Sequence, residues 1–374
     1  MNNEKIKVLL VSPYNAKRVG GIGTWSKSIL DYFENSDRFE IVFQNTFNAL
    51  KGNLHSSRMR RVLVGIEDTA LILVKLFFNL LFKNPDIVHY TSSASLALIK
   101  DKMALFIVKN VFRKQFVIHW HFGRIPEICI SKNSEYEKLM FVVRKANANI
   151  VLDEKSLNTL QNEGIKHVFY IPNPMTSAIY DATKDIDIIL ANANRTNGEV
   201  LFVGHVIATK GVFELVKCCV DCLEVKKLVL VGPVLPDVKE QILDLSKRRS
   251  SDEWLEFKGE LCREEVYFYY RTCSVFCLPS YTEGFPYVIL EAMAFGCPIV
   301  ATDVGAIAEM LQDESGMVIS PHDEAALGEA LRKVLLDKAL RDKMGTNAFA
   351  RVMSVYTHDV IFKQYESLWQ VKKI

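Results

Sequence analysis

Short apolar runs of strand length alternate along this chain with stretches whose apolar residues recur at helical spacing. Ile6 to Val11 is the first run; beyond Ser12-Pro13 and the glycine-rich Gly20-Gly21-Ile22-Gly23-Thr24-Trp25, residues Ile29, Leu30 and Phe33 share one helix face. This reads as a strand, a glycine-rich loop and a helix. Further strands are predicted at Phe39 to Phe43, Asp86 to Tyr90, Phe116 to His121, Ala148 to Leu152 and Val168 to Ile171, with helical stretches between most of them. The pattern restarts at Val200-Leu201-Phe202-Val203-Gly204-His205, followed by a helix after Lys210-Gly211. It continues with strands at Leu228 to Val231, Trp254 to Gly259, Val275 to Leu278 and Ile299 to Thr302, and a helix over Glu264 to Arg271. Strands alternating with helices imply an α/β protein with parallel sheets covered on both faces, whose ligands bind beyond the carboxyl ends of the strands. Between the two series, Thr183 to Gly198 reads as a linker or insertion with little core-forming power.

The length of 374 residues suits two domains of roughly 170 to 190 residues. A hydrophobic content of 49% with 24% charged residues is that of a folded globular protein, and a net charge of +2 makes no general case for nucleic acid. The apolar core after Met1 is too short for a signal peptide and breaks at Pro13, so the chain is expected in the cytoplasm. Eight cysteines fall mostly in predicted helices and strands. Cys219 and Cys222 form a C-x-x-C within a predicted helix from Phe213 to Val225, without a second pair at ligand spacing, so reduced core thiols are expected rather than structural zinc. Asp185-Ile186-Asp187 is read as a solvated turn.

The stretch with the most chemistry is Glu283 to Pro298. Pro286 suits the first helical position and Gly296 the C′ position, which predicts a polar loop feeding a helix of about three turns. Glu291 is the only charged residue between Pro286 and Pro298. A carboxylate in a helix apolar nearly all round must be paired with a cation or accept hydrogen bonds from neighbours or a ligand. Glu283 lies just ahead of the amide-rich helix N-terminus, which favours anions. The plain structural alternative pairs Glu291 with an Arg or Lys elsewhere and leaves Glu283 solvated.

Taken with Leu278-Pro279-Ser280 before it and Ile299 to Thr302 after it, this run resembles the Glu-x7-Glu signature of the family 4 retaining glycosyltransferases, which have the GT-B fold. The resemblance implies two Rossmann-like domains with parallel sheets facing an interdomain cleft. They are expected at 1–172 (acceptor side) and 173–354 (nucleotide-sugar side), with 355–374 as a helix returning to the first domain. It implies that Glu291 binds the ribose diol, Glu283 the sugar hydroxyls and Lys210 the diphosphate, assisted by the amides of Gly284, Phe285 and Tyr287. Gly21 and Gly23 correspond to a loop facing the donor diphosphate and acceptor, and Phe257 and Lys258 to a segment presenting backbone groups to the base. His121 resembles the histidine that hydrogen-bonds the donor sugar near the reacting carbon, with His119 its competitor in register. The catalytic set is therefore His121, Glu283 and Lys210. His205 stands where the family usually has arginine, and Pro174 where its hinge has glycine.

The implied activity is retaining, hexosyl-type transfer from a nucleotide sugar to a saccharide or lipid-linked saccharide, in bacterial surface polysaccharide synthesis, with no metal or other cofactor. The alternatives are a nucleotide-sugar-binding subunit without turnover and a sugar-nucleotide epimerase of similar fold. Two basic and oily stretches, Arg58 to Lys83 and Lys100 to Lys114, are too interrupted to span a bilayer. They read as core helices with a solvated edge, or as attachment to an anionic membrane surface, which would make the protein peripheral on the inner face of the cell membrane.

Overall fold

In the computed structural model the described residues are 4–15, 20–47, 58–95, 97–183, 195–249 and 252–370. Asp185-Ile186-Asp187 lies outside them. The chain divides into two compact units, Met1–Pro174 with Ile361–Ile374, and Met175–Val360.

In the first unit β1 (Ile6–Ser12), β2 (Phe39–Asn45), β3 (Ile87–Ser92), β4 (Gln115–Trp120), β5 (Ala148–Val151) and β6 (Val168–Tyr170) form one sheet in the order β2-β1-β3-β4-β5-β6. Every pairing is parallel; β1 and β3, for example, run in register from Val8↔Ile87 to Val11↔Tyr90. Its helices are α1 (Gly21–Phe33), α2 (Arg58–Lys83), α3 (Ala97–Phe106), α4 (Ile125–Ser131), α5 (Ser134–Lys145) and α6 (Glu154–Asn162). A π-helical turn, Ile107–Val111, extends α3. The central strand β3 is buried along its whole length, as a parallel strand covered on both faces must be. Side chains capping α5 and α6 come from Asn133 and Asp153, whose oxygens accept from the amides of the first turn.

In the second unit β7 (Thr196–Val203), β8 (Lys227–Val231), β9 (Leu255–Gly259), β10 (Cys273–Leu278), β11 (Ile299–Thr302) and β12 (Met317–Ile319) are likewise all parallel, in the order β12-β11-β10-β7-β8-β9. The helices are α7 (Ser177–Thr183), α8 (Val212–Asp221), α9 (Pro236–Ser246), α10 (Arg263–Thr272), α11 (Tyr287–Ala294), α12 (Ile307–Met310), α13 (Glu324–Leu336), α14 (Lys338–Val355) and α15 (His358–Gln370), the last of which belongs to the first unit from Ile361 onward.

Several local expectations change. Gly21 and Gly23 lie in the first turn of α1, not in a loop before it. Pro286 is the N-cap of α11 instead of its first residue. The helix through the C-x-x-C ends at Asp221, and Cys222 caps it in extended conformation. The stretch read as a linker to Gly198 already contains the start of β7, because Ser274 fixes both sides of it: Ser274 Oγ donates to the Thr196 carbonyl (2.6 Å) and accepts from Gly198 N (3.0 Å). The edge of α2 expected to be solvated is apolar: Ile72, Leu73, Leu76 and Leu80 are buried, while Leu71, Val74, Phe78 and Phe82 face outward. All eight cysteines are free, and only Cys262 is exposed.

Candidate functional site

In the second sheet the chain leaves β7 toward β8 and β9 on one side, then returns to β10 beside β7 and continues to β11 and β12 on the other. The order reverses between β7 and β10, and the loops beyond the carboxyl ends of these two strands flank the crevice where ligands bind in such sheets. Lys210 lies on the first loop and Glu283 on the second.

Close backbone contacts hold the two loops together. Gly211 follows the 3-10 turn Ala208–Lys210 with φ +68°, and a Cβ there would come within 2.0 Å of the Pro279 carbonyl oxygen. Tyr281 N donates to the Thr209 carbonyl (2.9 Å). Across this contact Lys210 Nζ donates to Glu283 Oε1 at 2.6 Å, and the buried Ser280 hydroxyl donates to the same oxygen at 2.8 Å. The far side of the Glu283 loop is fixed by Ala306 N, which donates to the Gly284 carbonyl (2.9 Å), and by Phe285, buried against Tyr356. The carboxylate and the ammonium are thus presented at the switch point by a backbone with little room to move.

Tyr287 opens α11, and Glu291 sits one turn further on. The Glu291 carboxylate accepts from the Tyr270 hydroxyl of α10 at 3.1 Å and has no ion pair among the described residues. Burial pushes its carboxyl up from 4.5 to about 7; the Tyr270 hydrogen bond and the charge of Arg263 pull the other way but do not cancel this. The helix ends in a Schellman arrangement, with Gly296 N on the Met293 carbonyl and Cys297 N on that of Ala292. Arg195 seals that end. Its guanidinium donates to the carbonyls of Phe295 and Gly296 at the end of α11, and to those of Tyr270 and Cys273 at the end of α10. One cation therefore fixes both helices that frame Glu291, where the helix dipoles favour positive charge.

The remaining residues predicted for this unit are more dispersed. His205 is exposed immediately after Gly204, on the Lys210 side of the switch point. Phe257 and Lys258 lie on the edge strand β9, two strands from β7, with Lys239 Nζ over the Phe257 ring (5.2 Å) and Lys258 paired with Glu256. Their strand end connects back through glycines: Gly232 N donates to the Gly259 carbonyl (2.7 Å), and a Cβ on Gly232 would come within 2.0 Å of the Gly204 oxygen. The ends of β7, β8 and β9 thus offer bare backbone.

In the first unit the order of the sheet reverses between β1 and β3. Gly21 and Gly23 start α1 beyond β1 and place Trp25 among three imidazoles, His89, His119 and His121, at ring distances of 5.3, 4.7 and 5.0 Å. His121 follows β4, with its amide bonded to the Ser92 carbonyl (2.8 Å), and its ring lies 3.9 Å from that of His119. His119 is fully buried whereas His121 is half-buried, which distinguishes the two register candidates. Burial holds His89 and His121 at about 3 and His119 well below the usual range, with mutual repulsion adding to the effect on His121 and His119. The imidazoles are therefore neutral at pH 7. Trp369 Nε1–H donates to His89 Nδ1 (3.2 Å), so its proton sits on Nε2. The Nε2 atom of His121 has no hydrogen-bond partner among the described residues.

Sequence reasoning missed Arg195, Tyr270 and Ser280. Arg195 sits in a segment with no periodic signal, and Tyr270 meets Glu291 only through the packing of two helices. Ser280, three residues before Glu283, was the one within reach of local reading.

Residues 183–351 match the family model for glycosyl transferases group 1. That segment is similar to the group 1 glycosyltransferases. The chain is similar to the uncharacterized glycosyltransferase MJ1607 of Methanocaldococcus jannaschii, 24% identical over 72% of this chain and 74% of that protein. It is also similar to the capsular polysaccharide biosynthesis glycosyltransferase CapM of Staphylococcus aureus, 26% identical over 65% of this chain and 60% of CapM, less than two thirds of its length. Among solved structures, Anabaena Alr3699/HepE in complex with UDP superposes with a TM-score of 0.71 at 18% identity, covering 97% of this chain and 99% of that one. The fold is GT-B. The paired Lys210 and Glu283, Tyr270, Glu291 and Arg195 all lie inside the matched glycosyltransferase segment.

Proposed function

We propose that the chain is a retaining glycosyltransferase of the family 4 type, moving a sugar from a nucleotide sugar to a hydroxyl of a saccharide or lipid-linked saccharide in bacterial surface polysaccharide synthesis. The observation that carries this reading is the Lys210–Glu283 pair at the β7/β10 switch point, with the carboxylate of Glu291 one helix turn into α11. UDP in the HepE structure and the name of CapM support the donor class and the pathway.

In this reading Lys210 and the N-terminus of α11 hold the diphosphate, Glu291 accepts from the ribose hydroxyls, and Glu283 accepts from hydroxyls of the transferred sugar. An arriving diphosphate competes for the Lys210 ammonium, and as it does so it frees Glu283 for the sugar. The C1–O bond to the diphosphate breaks with its electron pair leaving on the phosphate oxygen. The acceptor oxygen bonds to C1 on the same face, and its proton passes to that departing oxygen. Negative charge grows on the diphosphate, and preorganised amides and the lysine stabilise it by about 3 kcal/mol per good contact. His121 is neutral, which suits a hydrogen bond with the sugar and not acid catalysis; its unpaired Nε2 is enclosed and has to be uncovered for that contact.

His205 favours a second reading, a subunit that binds nucleotide sugar without turnover. Incubation with a panel of nucleotide sugars and saccharide acceptors separates the two: transfer or donor hydrolysis supports the enzyme, binding alone supports the subunit, and a changed sugar would point to an epimerase.

A further inference from the structure

From Leu71 to Phe82 the outward face of α2 is apolar over about three turns. Leu71, Val74, Phe78, Leu81 and Phe82 are all at least half exposed, Phe82 at 73%. On the neighbouring α3 and its π-helical extension, Ile99, Met103, Phe106 and Val111 are similarly exposed. The two helices are in contact, and Phe77 of α2 meets Phe112 at 5.1 Å, so the two faces adjoin each other. Scattered apolar residues are normal on a surface, but a row repeated along two adjoining helices is not.

Charge selects the occupant. Lys75 and Lys83 stand on α2, and Lys100, Lys109, Arg113 and Lys114 stand along α3 and the turn after it. The acidic residues on the same elements are few: Glu67 is exposed, while Asp68 and Asp101 are buried. The Lys100 ammonium lies over the Tyr90 ring (5.5 Å) and that of Lys102 over the Phe141 ring (4.3 Å), so cations and aromatic surface are interleaved here. Two copies pressed together through this face would bring their cations together and repel. Among the described residues no helix is long and apolar enough to cross a membrane. An apolar stripe edged with lysine and arginine on helices that do not span is the signature of binding in the plane of an anionic interface.

We propose that the α2/α3 face docks the protein onto anionic phospholipid, with the phenylalanines among the acyl chains and the flanking cations on the headgroups. This site is independent of the donor reading: it involves none of the donor residues and can be tested without substrate.

The test is flotation of the full chain with vesicles of phosphatidylcholine alone or of phosphatidylcholine with phosphatidylglycerol. Binding is expected on the mixed vesicles only, weakening as salt is raised. The Phe78→Ser/Phe82→Ser pair should weaken binding about 100-fold, because each buried ring contributes on the order of a tenfold change in partition. Lys75→Glu/Lys83→Glu should weaken it at least about 25-fold, at about fivefold per lost cation with repulsion of the new carboxylates in addition. Both pairs are exposed, so the thermal midpoint should stay unchanged, and nucleotide binding should be retained. The proposal is overturned if the protein stays in solution with mixed vesicles, if it floats equally with neutral ones, or if both variants float like the parent. Light scattering that shows a dimer broken by Phe78→Ser/Phe82→Ser would also overturn it, assigning the face to a second copy.

Discussion

Glu291→Gln separates what the carboxylate does for folding from what it does for the ligand. Burial lifts the carboxyl from 4.5 to about 7. At about 1.36 kcal/mol per unit of pKa, the ionised group destabilises the folded state by about 3 kcal/mol. A raised carboxyl means that the folded state binds more protons than the unfolded one between about pH 4.5 and 7. Stability therefore falls as pH rises through that window, and the penalty is complete above it. Glutamine keeps the shape and can still accept from Tyr270, but it carries no charge. The variant should melt like the parent near pH 5 and above pH 8 should melt higher, by about 6 to 12 °C for a unit of this size. The same change should weaken nucleoside diphosphate binding about 10- to 100-fold, since a hydrogen bond to a charged acceptor contributes about 1.5–3 kcal/mol. Differential scanning fluorimetry across pH, with calorimetric titration of UDP, reads both effects. A melting difference that does not change with pH refutes the burial argument, and unchanged UDP affinity refutes the ribose role.

Lys210→Met should lower turnover about 100-fold or more by removing charge at the departing diphosphate, and steady-state kinetics showing near-normal kcat would remove its role. Arg195→Ala should lower the thermal midpoint by about 6 to 12 °C, because four helix-end carbonyls lose a charged donor worth about 3 kcal/mol in all; a midpoint within error of the parent would show that the clamp is dispensable. His205→Arg should tighten UDP binding by about tenfold, and a weaker complex would show that this loop does not face the diphosphate. Transfer should survive chelation by EDTA, since lysine and amides stabilise the leaving group in this account; activity lost to EDTA and restored by a divalent cation would overturn it.

The strands were legible because parallel strands covered on both faces must be apolar throughout, and β3 and β10 are buried at every position. The end of α11 was legible from Gly296, whose φ of +57° suits the C′ position of a helix. Its beginning was less so, since Pro286 suits both the cap and the first turn. Glu291 stood out as the single charge in an apolar helix, but nothing in its neighbours' spacing points to Tyr270, which reaches it from another helix. Arg195 was hidden for the same reason: its partners lie 75 to 101 residues away in sequence, and an arginine in a polar stretch looks solvated until those carbonyls are placed. His121 showed as a candidate with His119 its competitor in register, while the packing of these rings and His89 around Trp25 depends on α1, α15 and the sheet together.

A crystal structure with an intact, non-hydrolysable UDP-sugar tests the central claim most directly. The diphosphate should lie within hydrogen-bonding distance of Lys210 Nζ, with Glu291 on the ribose hydroxyls and Glu283 moved from the lysine to the sugar. A nucleotide bound elsewhere, with the Lys210–Glu283 pair still closed and Glu291 still bonded to Tyr270 alone, would contradict it.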